Sequence, residues 1–177
     1  MSVSHEIIFV DVNKLKPHPK NQEIYFDPKD PEFDRSIQEN GILKPIICNR
    51  SFIILDGHRR WKRAKQFGLK QVPVQIRDFE NEILAIIWLN RYRVKTPREI
   101  FNEARVLEEE LAKEAKKRQI EAGKKFGRGK LRSNLTEPIS QPKVRDQVAE
   151  KLGVSSGQLY KIENVHFSEE NKPESEN

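Results

Sequence analysis

The stretch FIILDGHRRWKRAKQFG, residues 52–68, predicts a β-strand, a tight turn and an α-helix in direct succession. The apolar positions of the helix recur every third residue, at Trp61, Ala64 and Phe67. Lys62 and Arg63 are expected on its solvent-exposed surface. Gly57 stands between strand and helix, where a glycine lets the backbone approach a ligand and the first N–H groups of the helix attract an anion. The sequence therefore predicts an anion-binding turn at Gly57, although the same residues also fit an ordinary solvated helix start.

Two pairs of arginines favour the anion-binding interpretation. Arg59 and Arg60 stand at the mouth of the turn, and Arg91 and Arg93 follow Asn90 further along the chain. The planar fork of the arginine side chain suits phosphate oxygens. Two adjacent cations at a helix N-terminus oppose the helix dipole by roughly a few tenths of a kcal/mol each unless an anion offsets them. The two clusters together predict a polyphosphate ligand.

The segments around this stretch predict a small mixed domain. Strands are expected at IIFVDVNKL near the start, at KPIICN and FIIL as a tight hairpin, and at VPVQI. One helix is predicted from the Asp30-Pro31 cap to Gly41, and a second, apolar helix from Glu82. The connection LKPHPKNQEIYFDPKDP, residues 15–31, is expected to be long and irregular. The predicted fold class is therefore α+β.

The second half of the chain is predicted to be helical. The residues TPRE at 96–99 form a capping box, and the helix that they begin carries an apolar stripe and is expected to end near Gly123. Glycines, prolines and charges without apolar periodicity predict a basic linker over 123–143. Two short helices separated by Gly153 follow, and the acidic tail 166–177 is expected to be disordered.

Composition limits the classes of function. The 177 residues carry a formal charge of +6, with 36% hydrophobic and 34% charged residues and a mean hydropathy of −0.78. No run approaches the roughly 18–20 apolar residues of a membrane helix, and no targeting segment precedes the first strand, so a cytoplasmic protein is expected. The single cysteine, Cys48, excludes an intramolecular disulfide, and the histidines lack the spacing of zinc ligands. Residues 113–133 hold nine Lys/Arg and two Glu, which favours phosphate neutralisation, with a solvated helix face as the alternative.

An ordered series of motifs resembles the N-terminal domain of ParB-type partition proteins, and the resemblance covers about residues 6–165. The series consists of Ser36-Ile37, Gly41, Pro45-Ile46, Gly57-His58-Arg59-Arg60-Trp61, Ala64, Gly68-Leu69, Val72-Pro73-Val74, Asn90 to Arg93 and Thr96-Pro97. In that family the G-x-R-R-x-x-A loop binds a nucleotide triphosphate. The resemblance implies a ParB/sulfiredoxin-like domain, followed by a helical region with a helix-turn-helix.

The resemblance also implies CTP as the nucleotide, with Mg²⁺, and a clamp on DNA that closes when CTP binds. The residues that it assigns to the nucleotide are Gly57, His58, Arg59, Arg60, Asn90, Arg91 and Arg93. Asn90 would also lie near Mg²⁺. The chain departs from the family pattern at Leu89, where a glutamate matters for hydrolysis, at Tyr92, which replaces glutamine, and at Asn21-Gln22-Glu23, which replaces Q-P-R. Nucleotide binding is therefore implied, and weak hydrolysis of CTP stays open.

The helix pair at 144–165 matches the spacing of a DNA-reading helix-turn-helix. The matching positions are Ala149, Gly153, Val154, Leu159 and Ile162. Glutamine can pair with adenine and serine with phosphate, so the exposed face of the second helix is expected to contact duplex DNA. The DNA contacts predicted here and in the basic stretch are Ser155, Ser156, Gln158, Tyr160, Lys161, Lys124, Lys125, Arg128 and Lys130. An ordinary helical hairpin is the alternative.

Enzymes of the same fold supply a second hypothesis. Free-serine kinases carry an aspartate, a glycine and a histidine in this loop, as Asp56-Gly57-His58 does, and they use an upstream glutamate as base, for which Glu23 is the candidate. Asp56 would then bind a metal ion. Sulfiredoxins place a reactive cysteine in the loop where this chain has His58. Cys48 falls in a predicted buried strand, so thiol chemistry is not expected.

These observations divide the chain into five predicted segments. They are a nucleotide-binding domain (1–95), a connecting helix (96–122), a basic linker (123–143), a helix-turn-helix (144–165) and a disordered tail (166–177). Because only a polar tail follows residue 165, a homodimer is expected to form through the first domain or through the helix at 97–121. The resemblance further implies a partition ATPase as partner and association with nucleoid or plasmid DNA.

Overall fold

The chain divides into two structural units, with the boundary between Arg93 and Val94. A five-stranded mixed sheet forms the centre of the first unit. The computed structural model describes residues 6–126 and 144–170. The strands are β1 (Ile7–Asp11), β2 (Lys16–Pro17), β3 (Ile46–Cys48), β4 (Ile53–Asp56) and β5 (Gln71–Ile76). Their order is β1-β5-β3-β4-β2. The pairs β1–β5 and β3–β4 are antiparallel, whereas β3–β5 and β2–β4 are parallel.

Helices pack with this sheet and confirm the predicted α+β fold. They are α1 (Pro19–Ile24), α2 (Pro31–Asn40), α3 (His58–Gln66) and α4 (Glu82–Leu89). Helix α2 begins as predicted, because the Asp30 side chain accepts a hydrogen bond from Phe33 N at 3.1 Å and Pro31 occupies the first helical position. It ends at Gly41, whose φ of 69° is left-handed.

The core fixes the position of α3 and therefore of the turn that precedes it. Buried residues of the sheet and of α3 form one cluster that includes Ile46, Cys48, Ile54, Ala64, Val72 and Val74. Trp61 packs against this cluster and donates its indole N–H to Val12 O at 3.0 Å. The predicted hairpin of β3 and β4 is confirmed, so the end of β4 leads directly into Gly57 and α3.

The expectation of a long irregular connection over 15–31 is wrong, because β2 and α1 lie within it. His18 caps α1, since its Nδ1 accepts a hydrogen bond from Lys20 N at 3.2 Å, and Pro19 fills the first helical position. Histidine is not among the usual N-cap residues, which are Ser, Thr, Asp and Asn. The pattern therefore gave no signal for this helix.

The second unit is helical and consists, within the described residues, of α5 (Pro97–Phe126), α6 (Val144–Leu152) and α7 (Ser156–Glu170). The predicted capping box begins α5: Thr96 N donates to Glu99 Oε2 at 2.9 Å, and Glu99 N donates to Thr96 Oγ1 at 3.2 Å. Ala104, Leu107 and Leu111 are the buried apolar positions of its stripe. None of the described helices is long and apolar enough to cross a membrane.

Two predicted boundaries of this unit are wrong. Helix α5 does not end near Gly123 but continues to Phe126, because Gly123 lies inside the helix without a left-handed φ. Helix α7 continues through Glu170, so the residues from 166 to 170 are helical instead of disordered. The His166 ring lies 5.0 Å from the ring of Phe101, a contact with α5 that holds this part of α7. The rest of the predicted linker (127–143) and of the tail (171–177) lies outside the described residues.

Candidate functional site

Gly57 forms the N-cap of α3 in a left-handed conformation, with φ 99° and ψ 21°. Residues with a side chain rarely adopt this conformation, so the turn favours glycine. No side chain in the described part of the protein caps α3, and the first turn of this helix contains no acidic residue. The helix therefore begins with backbone N–H groups that no cap satisfies, which is the arrangement that attracts an anion.

Arg60 lies directly over this turn. A Cβ atom at Gly57 would be only 3.0–3.2 Å from the atoms of the Arg60 guanidinium. That guanidinium donates to Lys44 O at 2.6 Å, to Pro45 O at 2.9 Å and to Asp56 Oδ2 at 2.8 Å, and its side chain is 14% exposed. Arg60 is therefore a fixed cation at the start of α3, held by the end of β4 and by the residues before β3.

Arg59 points to the loop before α2 and to α2 itself. Its Nε donates to Asp27 Oδ1 and its second terminal nitrogen donates to Asp30 Oδ2, both at 3.1 Å. The guanidinium also lies 4.5 Å from the centre of the Phe33 ring, within cation–π distance. The two adjacent arginines are thus held by different parts of the structure, and Arg60 is the one seated on the Gly57 turn.

Asp27 is the centre of a cluster of charges that sequence reasoning missed. Its carboxylate contacts Arg59 at 3.1 Å, Arg63 at 3.2 Å and Lys62 at 3.5 Å. Arg63 also donates to Asp34, and this hydrogen bond raises its pKa. The expectation that Arg63 is a surface residue is wrong, because its side chain is only 12% exposed. No local pattern could reveal the cluster, since Asp27 and Arg59 are 32 residues apart.

A cleft of about 640 Å³ borders this cluster. Its lining residues are Asp27, Lys29, Asp30, Pro31, Asp34, Arg35, Gln38, Arg63 and Gln66. The hydrogen bond from the backbone N–H of Phe33, and secondly the one from the side chain of Arg59, hold the pKa of Asp30 below its usual value. The side of α3 that faces α2 is therefore built of paired charges of both signs.

His58, a predicted phosphate ligand, is buried at the start of α3. Its Nε2 accepts a hydrogen bond from the backbone N–H of His18 at 3.1 Å. Burial lowers the pKa of His58 to about 3, so the ring is neutral and suited to accepting this hydrogen bond. His58 thereby attaches the start of α3 to the cap of α1.

The second predicted cluster lies at the end of α4. Asn90 is the C-cap of α4, and its side-chain N–H₂ donates to Ile86 O at 2.8 Å, which leaves the amide oxygen for a further contact. Arg93 donates to Phe26 O at 2.8 Å and lies 5.1 Å from the centre of the Tyr25 ring. Arg91 is exposed. Arg93 and Arg59 therefore both contact the loop that joins α1 to α2.

The candidate catalytic carboxylates are engaged in ion pairs. Glu23 lies 2.6 Å from Lys20 Nζ on the exposed surface of α1, and Asp56 binds Arg60. Cys48 is buried, and burial raises its pKa to about 12, which disfavours a reactive thiolate. Across residues 6–126 and 144–170, no group of three or more His, Cys, Asp or Glu is placed to hold a metal ion.

Several residues predicted to read DNA have partners inside the second unit. Ser155 and Gln158 form a reciprocal capping box at the start of α7, with Gln158 N donating to Ser155 Oγ at 3.1 Å and Ser155 N to Gln158 Oε1 at 3.3 Å. Ser156 Oγ donates to Asp146 Oδ1 at 2.7 Å. Tyr160 and Lys161 of the same helix are exposed, as Ser155 and Gln158 are, and the Tyr160 ring lies 5.4 Å from the guanidinium of Arg145.

The predicted basic stretch begins on the exposed second half of α5. Residues 112–121 are all exposed, and Lys124 is exposed as well. Lys125 belongs to the last turn of α5, whereas Arg128 and Lys130 lie outside the described residues. This half of the helix presents a high density of positive charge to the solvent.

Comparisons with known proteins give a consistent result. A family profile described as "ParB N-terminal domain" matches residues 1–91, just over half of the chain. The chain is 30% identical over 107 residues to the "Probable chromosome-partitioning protein ParB" of Rickettsia prowazekii, which covers 59% of this chain and 37% of that protein. It is 37% identical over 91 residues to the protein of the same name in Vibrio cholerae, which covers 46% and 29%. The chain thus matches well under half the length of these curated relatives.

A solved structure of a "Pnob8-like ParB-N domain" superimposes with a TM-score of 0.64 at 16% sequence identity. The alignment covers 96% of this chain and 74% of that one. At this level of identity the similarity shows a shared fold.

Proposed function

We propose that this chain, which belongs to the ParB N-terminal domain family, is a partition-type DNA-binding protein whose first unit binds a nucleoside triphosphate. CTP is the nucleotide that the resemblance to ParB-type proteins favours. In the proposal, binding of the nucleotide to the first unit regulates how the second unit binds duplex DNA. A homodimer and a partition ATPase are the protein partners, and nucleoid or plasmid DNA is the location.

The observation that carries the proposal is the geometry at the start of α3. Gly57 is left-handed, no side chain caps the helix, and the Arg60 guanidinium lies over the turn. Backbone N–H groups at a helix start and an adjacent arginine fork are the donors that phosphate oxygens require. The Asp56 carboxylate pairs with the Arg60 guanidinium at 2.8 Å, so a phosphate at the turn would share this guanidinium with an oxygen at the end of β4.

In the proposal, Asn90 would hold Mg²⁺ beside the triphosphate. Magnesium is usually held by one or two protein oxygens together with the phosphates of the substrate. The side-chain nitrogen of Asn90 is fixed on Ile86 O, so its amide oxygen is oriented and available as such a ligand. The ion would neutralise charge on the triphosphate. Hydrolysis is not part of the proposal, because Leu89 replaces the family's glutamate.

The proposed DNA-binding surface consists of the exposed half of α5 and the start of α7. Lysine and arginine side chains release condensed counterions when they approach phosphates, and α5 concentrates them along one exposed segment. The α6–α7 pair, joined by Gly153 to Ser155, has the element order and short turn of a helix-turn-helix. Lys161 and Tyr160 are the exposed side chains of α7 that we assign to DNA contacts.

The test is a titration of wild-type protein with CTP and with ATP, each with and without duplex DNA. Arg60→Ala removes the guanidinium over Gly57 and is expected to abolish nucleotide binding. Arg50→Ala is the matched control, because Arg50 is 82% exposed and its partner among the described residues is Asp78, at the surface of the same unit. We expect this variant to bind as the wild type does.

Thermal unfolding separates loss of binding from loss of fold, since Arg60 makes three hydrogen bonds within the protein. Arg60→Lys keeps the charge and loses the fork, so it is expected to fold and to bind nucleotide weakly. Unchanged affinity in a folded Arg60→Ala protein would reject the assignment of the phosphate site.

A further inference from the structure

The loop between α1 and α2, residues 25–30, contacts cations from both predicted basic clusters. Its Asp27 carboxylate binds Arg59 at 3.1 Å and Arg63 at 3.2 Å. Its Phe26 carbonyl accepts a hydrogen bond from Arg93 at 2.8 Å, and the Tyr25 ring lies 5.1 Å from the same guanidinium. We call residues 25–30 the Asp27 loop.

The cations that bind the Asp27 carboxylate could bind a phosphate group in the same way. Arg59, Lys62 and Arg63 are spaced i, i+3, i+4 on α3 and therefore share one face of the helix. The two carboxylate oxygens divide between two arginine forks, as two phosphate oxygens would. Asp27 is 18% exposed, so these contacts are screened by salt less than those of a surface pair.

We infer that the Asp27 loop competes with the anion that binds at the Gly57 turn, because both bind Arg59 and Arg93. The inference rests on the proposed function and adds its regulation. A polyphosphate that recruits Arg59 and Arg93 takes them from Asp27 and from Phe26 O, and the loop is released. The observed affinity for the ligand is therefore lower than the affinity of the same site without the Asp27 charge.

Release of the loop also reaches α2 through Asp30. One oxygen of Asp30 caps α2 by accepting from Phe33 N at 3.1 Å, and the other accepts from Arg59 at 3.1 Å. An anion that draws Arg59 away removes one of the two contacts that orient the cap. The occupied site is thereby coupled to the start of α2.

The experiment compares wild type, Asp27→Asn and Asp78→Asn in titrations with CTP and with inorganic tripolyphosphate at one ionic strength. Asp27→Asn keeps the shape of the side chain and removes its charge. We expect it to bind both ligands about fivefold more tightly, as loss of a competing ion-pair network implies. Asp78→Asn changes the net charge equally and, within the described part of the chain, removes the surface pair with Arg50, so its affinity should equal that of the wild type.

Each outcome decides between the inference and the function on which it rests. If wild type binds and Asp27→Asn binds equally or more weakly, the competitor is rejected and the proposed function stands. Equal gains in both variants would show an effect of net charge only and would also reject it. If none of the three proteins binds either ligand, the proposed function fails together with the inference.

A measurement on the wild-type protein covers the case in which Asp27→Asn does not fold. Hydrogen exchange of the amides in the Asp27 loop is compared with and without CTP, at matched pH and temperature. Displacement of the loop predicts faster exchange there when CTP is bound, including at Tyr25, whose N–H donates to Asn21 O at 2.9 Å. Slower exchange would show that the ligand stabilises the loop and would overturn the inference.

Discussion

Two constraints at position 57 favour glycine over every other amino acid. Its φ of 99° lies in the left-handed region, and a Cβ atom would press on the Arg60 guanidinium at 3.0–3.2 Å. The first constraint affects the stability of the turn, because a residue with a side chain is strained in this conformation. The second affects the position of Arg60 and therefore the proposed phosphate site.

Gly57→Ala separates these two effects when it is compared with Gly68→Ala. Gly68 has a φ of 72°, but no atom of the described residues lies within 4 Å of the position that its Cβ would take. We expect both substitutions to lower the free energy of unfolding by about 1 kcal/mol through backbone strain. Only Gly57→Ala should weaken CTP binding, by about tenfold or more, because only it displaces Arg60.

Chemical denaturation and CTP titration of the two variants are the measurements. A Gly57→Ala protein with wild-type affinity for CTP would contradict the assignment of Gly57 and Arg60 to the ligand. Equal loss of affinity in Gly68→Ala would attribute the effect to general destabilisation instead of to the turn.

Helices whose caps follow common chemistry could be predicted from the sequence. The Asp30-Pro31 start of α2 and the TPRE box at 96–99 are both confirmed. The sequence could predict them because each cap involves residues at most three positions apart. Helix α1 could not be predicted, since its cap is His18. The predicted end of α5 near Gly123 is wrong because Gly123 adopts ordinary helical dihedrals.

The site shows the same limit. The position of Gly57 between a strand and a helix could be predicted, because the pattern of residues 52–68 is local. The neighbouring contacts of Arg59 and Arg93 bridge α3 or the end of α4 to a distant loop, and they depend on how the sheet packs its helices. The sequence predicted these arginines as cations of the site, and that assignment stays a prediction, whereas the identity of their carboxylate and carbonyl partners required the tertiary structure.

At the start of α7, two residues that the sequence predicted to contact DNA form a helix cap. Ser155 and Gln158 satisfy each other, whereas Lys161 is exposed one turn further along the helix. Ser155→Ala is therefore expected to lower the stability of the second unit by about 1 kcal/mol. Lys161→Ala should leave stability unchanged and weaken duplex binding, with the slope of log affinity against log salt reduced by about 0.9.

Thermal unfolding and salt-dependent DNA titrations of the two variants test this distinction. A stable Lys161→Ala protein that binds duplex DNA with the wild-type slope would remove this residue from the interface. A Ser155→Ala protein as stable as the wild type would contradict the capping assignment.

Across the whole molecule, the position of the positive charge matters more than its total. The net charge of +6 is modest for 177 residues, yet 113–133 alone carries nine Lys/Arg and two Glu. Long-range attraction to DNA would depend on the total charge, whereas direct neutralisation of phosphates depends on the lysines that touch the backbone. Two triple variants with the same net charge distinguish these cases.

The first variant replaces Lys116, Lys117 and Lys124 on the exposed half of α5 by glutamine, and the second replaces Lys14, Lys16 and Lys70, which are exposed on the first unit. If the α5 lysines contact phosphates, the first variant loses up to about 2.7 from the salt slope, since each contact contributes about 0.9. The second should keep the wild-type slope, because its lysines lie outside the proposed interface. Glutamine is a good helix former, so circular dichroism should show an intact α5 in the first variant. If the slope of log affinity against log salt fell equally in both variants, net charge, and not the exposed half of α5, would govern DNA binding.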